Sequence, residues 1–141
     1  MKKRVSLKII IIPAIIVLLI FLIYFFVFNF SGNITSSHFE VFSDEIQSKE
    51  GFAGLITNNF AMSDIVGLYG KSDVNKFVIL NYEIFDLYGN KVDLENKKSA
   101  IISSGEFGLC CITLPQKTGF YIMKLFLNGK ESRSLLFNIV S

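Results

Sequence analysis

Residues 9 to 28 read IIIIPAIIVLLIFLIYFFVF, twenty positions at which the phenol of Tyr24 is the only polar side-chain group. As a helix rising about 1.5 Å per residue, such a run covers roughly 30 Å, the thickness of a bilayer's hydrocarbon core. A helix packed on a soluble domain needs a polar stripe toward water, and this run has none. The sequence therefore predicts a transmembrane helix over residues 9–30, with Pro13 placed in its first turns, where a missing donor is best tolerated.

The flanks orient the helix. Lys2, Lys3, Arg4 and Lys8 precede it in the basic segment 1–8, whereas no Lys or Arg occurs from Asn29 to Ser43. The positive-inside bias puts the N-terminus in the cytoplasm and the remainder outside, as a single-pass protein of the cell membrane. A cleaved signal peptide has a shorter apolar core, about 7–15 residues, followed by small residues in an A-x-A pattern. Phe28, Asn29, Phe30 and Ser31 offer no such site, which favours an uncleaved signal-anchor. A lipoprotein anchor is excluded because Cys110 and Cys111, the sole cysteines, lie far from the run.

Beyond the anchor the chain has room for one domain. Residues 31–37 are small and polar and read as a short stalk, leaving residues 38–141 as an extracytoplasmic domain. The formal charge of +2 misleads, because four of the fourteen Lys and Arg precede the apolar run. The rest of the chain carries ten against twelve carboxylates, formally −2. That balance, with no basic cluster, argues against a nucleic-acid partner.

The domain reads as all-β. Phe39 and Val41 alternate with polar neighbours in a first strand over 38–47, and SDIVGLY, residues 63–69, reads as another. Residues 48–60 fit a helix or a strand equally, since Phe52, Leu55, Ile56 and Phe60 share a helical face while Gly51 and Gly54 weaken it. In KFVILNYEIF, Val78, Leu80, Tyr82 and Ile84 form an apolar face and Phe77, Ile79, Asn81, Glu83 and Phe85 a mixed one, as in a central strand. Strands over 99–103, 106–114, 120–127 and 131–140 follow. In the strand-like run 106–114, adjacent Cys110 and Cys111 point to opposite faces, one buried and one outward, and are read as small apolar residues.

Asn128-Gly129 is the dipeptide best suited to the positive φ angles of a tight hairpin. A two-residue loop with regular pairing would oppose Lys124 with Arg133 and Met123 with Ser134. Moving the register by one matches Tyr121 with Phe137 and Met123 with Leu135 and makes the apolar face continuous. A bulge or three-residue loop near Lys130 is predicted to reconcile the two.

Seven or eight strands punctuated by turns indicate an antiparallel β-sandwich. Residues 76–140 carry Asp86-Leu87-Tyr88-Gly89-Asn90-Lys91-Val92, then Gly105-Glu106-Phe107, Thr113-Leu114-Pro115, Thr118-Gly119-Phe120-Tyr121 and Phe137-Asn138-Ile139-Val140. In these motifs the chain resembles the immunoglobulin-like sandwich domains of bacterial surface proteins and of the macroglobulin family. The resemblance implies a structural corner at Gly119 and Tyr121, the tyrosine hydroxyl tying back to the preceding loop. Met123 stands where antibody-type domains place a cysteine, and the chain has no Trp. No macroglobulin thioester signature is present.

Chemistry is sparse. His38, the single histidine, has no cysteine or second imidazole near it, so no metal site and no cofactor is expected. Glu40, Asp44, Glu45 and Glu50 read as a solvated acidic face rather than a catalytic pair. Asp86 with Asn90, and Asp93 with Glu95, match no recognised calcium loop. There is no P-loop and no dinucleotide fingerprint. Phe77, Phe85, Phe120 and Phe126 fall opposite the inferred core and are the candidate interaction surface, unless another segment covers them. The sequence thus predicts a non-catalytic, membrane-anchored module that binds another envelope or surface protein. Its alternatives are a structural subunit of a pilus, archaellum or secretion system and, from another class, a small surface hydrolase.

Overall fold

The computed structural model describes residues 7–42 and 55–141. The chain divides into two compact units, residues 1–30 and residues 31–141. In the first, helix α1 runs Leu7–Phe28 with Pro13 inside it, and every described side chain, from residue 11 to residue 26, is exposed. Among the described residues no helix is long and apolar enough to cross a membrane.

In the second unit, strands β1 (Ile34–Phe42), β2 (Leu55–Ile56), β4 (Ile65–Ser72) and β7 (Gly105–Leu109) form one sheet, in the order β2-β1-β4-β7. Strands β3 (Asn59–Ala61), β5 (Val78–Asp86), β6 (Ala100–Ile102), β8 (Gly119–Leu127) and β9 (Lys130–Val140) form the other, ordered β3-β9-β8-β5-β6. Strands β4 and β7 in one sheet, facing β5, β8 and β9 in the other, give the strand distribution of an immunoglobulin-like sandwich. The fold is immunoglobulin-like.

Alternation builds the core. Val78, Leu80, Tyr82 and Ile84 of β5 are buried, as are Tyr121, Met123, Leu125 and Leu127 of β8, facing Phe39, Val41, Val66 and Leu68 of the other sheet. Phe39, Phe60 and Phe137 meet with ring centroids 5.2–5.6 Å apart, and Tyr121 stacks on Phe137. Tyr82 is buried in mid-strand and its hydroxyl accepts a hydrogen bond from the Thr113 amide at 3.1 Å.

The β8–β9 hairpin keeps both features expected of it. Asn128 and Gly129 take φ of 47° and 83°, a tight two-residue turn between Leu127 and Lys130. Past Phe126, which pairs Glu131, the register shifts so that Leu125 pairs Arg133, leaving Ser132 as the extra residue. Beyond this bulge Met123 pairs Leu135 and Tyr121 pairs Phe137. The Asn128 carboxamide oxygen accepts from the Ile79 amide, tying the turn to β5.

Three expectations need correction, and one open reading is resolved in part. Residues 31–37 are not a stalk: Ile34 is buried, β1 starts there, and Ser31 and Asn33 exchange hydrogen bonds with Asn75 and Asp73. Small polar residues satisfied their backbone through these side chains and so joined the sheet. The sandwich is not wholly antiparallel, because β3 pairs β9 in parallel. The open reading is the 48–60 segment, whose described part, residues 55–60, contains β2 and the start of β3; Gly51, Phe52 and Gly54 lie outside the described residues. Finally, β7 ends at Leu109, so Cys110 and Cys111 are not in a strand. Both are exposed, Cys111 takes a left-handed φ of 59°, and the two are joined as a vicinal disulfide.

Candidate functional site

The outer face of the five-stranded sheet is built by the residues that alternate with the core. Cross-strand pairing sets Phe85 beside Ile122 and Ile122 beside Leu136, an apolar row across β5, β8 and β9. Phe120 extends the row along β8, and Ile79 beside Ile101 makes a second apolar pair toward β6. Phe120 and Leu136 are each 53% exposed and Phe77, just before β5, is 76% exposed. Phe85 and Phe126 are half-buried. All four phenylalanines singled out in the sequence are outside the core. Nothing among the described residues covers Phe77 or Phe120.

Charged side chains rim this row. Lys124 sits 5.3 Å from the centre of the Phe85 ring and pairs with Glu131 at 3.2 Å, and Lys91 pairs with Glu83. The ion pairs are partly exposed and contribute little to stability, but they place fixed charge around an apolar centre, the layout of a protein-contact surface.

A cleft of about 580 Å³ lies at the C-terminal end of β5 and is lined by Asp86, Asp93, Glu95, Thr113, Lys117 and Tyr121 among others. Asp86 accepts hydrogen bonds from the amides of Tyr88 and Asn90 and from the Asn90 side chain, which hold its pKa below the usual carboxylate value, the Asn90 side chain most of all. Its lone pairs are used in shaping the turn. Among the described residues no three His, Cys, Asp or Glu side chains come together to hold a metal ion. At the wall of this cleft the Tyr121 hydroxyl donates to the Lys117 carbonyl at 3.0 Å, the tie-back the resemblance implies, while Gly119 takes a φ of 139° that favours glycine.

The opposite sheet holds an arrangement that sequence reasoning missed. His38 lies within β1, not at a domain boundary, and its Nε2 is 3.0 Å from Glu40. It stacks beside Tyr69, its cross-strand partner on β4, with ring centroids 6.2 Å apart and 26° between planes. On the other side Tyr69 pairs with Gly108 of β7. Burial, and secondarily the Glu40 charge, push the Tyr69 phenol above its ordinary pKa. The available signal was the alternation Gly67-x-Tyr69-x-Lys71, outward residues between the buried Val66, Leu68 and Gly70. Of the early carboxylates, Glu40 is bonded to His38, and Asp44, Glu45 and Glu50 lie outside the described residues.

No family model matches the chain, and no curated protein does. Among solved structures, the chain is similar to an immunoglobulin-like protein from Pseudomonas aeruginosa, at 10% identity and a TM-score of 0.45, over 78% of this chain and 97% of that one. It is also similar to an alkylpurine DNA glycosylase from Pseudomonas fluorescens, solved with DNA containing an abasic site analog, at 10% identity and a TM-score of 0.40. That second match covers 60% of this chain and 28% of the glycosylase.

Proposed function

We propose that this protein is a membrane-anchored, extracytoplasmic interaction module without catalytic activity, and that its sandwich meets another envelope or surface protein through the outer face of the five-stranded sheet. The observation that carries the reading is the apolar row Phe85, Ile122 and Leu136 with Phe120 beside it, rimmed by Lys124–Glu131 and Lys91–Glu83. An exposed apolar centre with a charged rim is the composition that protein contacts use. Anchoring is supported by the uninterrupted apolar run 9–28 and the four basic residues before it, which orient the sandwich outward.

A photoreactive amino acid placed at Phe120, at Leu136 or, as a control on a charged loop, at Lys97 tests the surface in intact cells. The first two positions yield a common crosslinked protein by mass spectrometry and Lys97 does not. Protease added outside the cells removes a C-terminal epitope. Absence of a reproducible neighbour at Phe120 and Leu136 overturns the interaction reading, and an epitope protected in intact cells overturns the topology.

A further inference from the structure

Tyr69 lies on the outward face of the four-stranded sheet, and the sequence cleared space for it. A Cβ added at Gly67 would come 2.6 Å from its Cε2, and a Cβ at Gly108 would come 2.7 Å from its Cε1. Opposite edges of one ring each rest above a glycine, so the ring lies along the sheet rather than standing off it and turns a face outward. His38, almost parallel and one strand away, widens this floor, with Glu40 holding the imidazole and Phe42 set edge-on against Tyr69. A cleft of about 230 Å³ is lined by His38 and Tyr69 together with Ser36, Glu40, Gly70, Phe107 and the Lys71–Glu106 ion pair at 3.3 Å.

We propose that this platform binds a neutral pyranose ring of a surface glycan, the sugar's C–H face on Tyr69 and its hydroxyls on the surrounding polar side chains. Three properties select that chemistry. A flat aromatic face accepts the apolar side of a ring, whereas an ammonium group is best held over several rings that surround it. Both carboxylates are already engaged, Glu40 with the His38 ring and Glu106 with Lys71, so the fixed partners of the site are polar side chains already held in place. The border offers donors and acceptors together, which hydroxyls match because each both donates and accepts. The volume falls below the range of about 300–1,000 Å³ typical of drug-sized pockets, so the cleft takes one ring at a time. The platform is on the other sheet from the proposed protein-contact surface and stands independently of it.

The test uses the full chain in a detergent without a sugar headgroup, titrated with cellohexaose, maltohexaose and chitohexaose. The protein has five Tyr and no Trp, so near-ultraviolet difference spectra report tyrosines directly. At least one oligosaccharide produces a saturable tyrosine perturbation. By isothermal titration calorimetry, which needs no tyrosine at the site, Tyr69→Ala weakens binding of that oligosaccharide roughly tenfold, and Tyr69→Phe retains it because the face, not the hydroxyl, makes the contact. Gly108→Ala, which displaces the ring without removing it, weakens binding too. No perturbation by any of the three sugars, or equal binding by Tyr69→Ala, overturns the proposal. So does saturation by tetramethylammonium chloride in place of the sugars, which would make the site a cation cage. Far-ultraviolet circular dichroism confirms that each variant is folded.

Discussion

The hydroxyl of Ser132 accepts a hydrogen bond from the amide of Ile34 at 2.8 Å, across 98 residues of sequence. Ser132 is the extra residue of the β9 bulge, and Ile34 is the buried first residue of β1. The bulge that sets the hairpin register also closes the two sheets on this side, helped by Arg133 donating to the Thr35 carbonyl. Ser132→Ala leaves a buried amide without its partner and is expected to cost about 1–2 kcal/mol, read as a lower midpoint in urea unfolding. Deleting Ser132 costs far more, because restoring regular pairing would turn one strand's apolar side chains outward.

Gly70 and Gly108 separate two kinds of close approach. A Cβ at the buried Gly70 would press on the Ser36 carbonyl oxygen and lie 2.8 Å from the Phe107 ring, and neither the backbone nor the packed ring can yield freely. Gly70→Ala is expected to destabilise by about 1–3 kcal/mol. At Gly108 the nearest atoms belong to the Tyr69 ring on the open face, which can swing away. Gly108→Ala therefore changes stability by less than about 1 kcal/mol. Thermal melts of the two variants give the comparison.

Tyr82 joins the core of β5 to the loop after β7 through its hydroxyl and the Thr113 amide. Tyr82→Phe keeps the ring and removes the acceptor, with an expected loss of about 1–2 kcal/mol. Hydrogen exchange at Thr113 should rise by more than the global change in stability explains.

Tyr69 supplies a pH dependence on the alkaline side. Its folded pKa is raised, first by burial and second by Glu40, so the folded state holds the phenolic proton more tightly than the unfolded chain does. Its contribution to stability is complete below the unfolded tyrosine pKa, about 10, and is lost as pH rises through the folded value. Spectroscopic titration of phenolate should show a tyrosine ionising late, and Tyr69→Phe should remove it. Glu40→Gln should lower that pKa only in part, since burial is the larger cause.

Local patterning made one half of the sandwich readable. The two-residue period of β5 separated Val78, Leu80, Tyr82 and Ile84 from Phe77 and Phe85, and the clash between a tight Asn128-Gly129 turn and the apolar pairing required the bulge. Distant partners decided what could not be read. Residues 31–37 have the composition of a linker, and it is pairing with β4, the burial of Ile34 and hydrogen bonds to Asp73, Asn75, Lys71 and Ser132 that commit them to the sandwich. The parallel pairing of Asn59 with Asn138 joins strands 79 residues apart and leaves no mark in either. Tyr69 was concealed because an aromatic residue beside Leu68 reads as core until Gly67 and Gly108 are seen beneath it.

The left-handed turn at Cys111 bears on how the molecule avoids its own kind. Among the described residues strand β7 pairs only with β4, so its far edge offers open amides and carbonyls to any passing strand. That edge is five residues long, and Cys110 and Cys111 interrupt its ladder before the buried Ile112 returns its amide to the Val66 carbonyl of β4. Strand β6, which borders the other sheet, is three residues long. Rims this short resist runaway strand addition and aggregation, leaving the broad faces of the sheets for recognition.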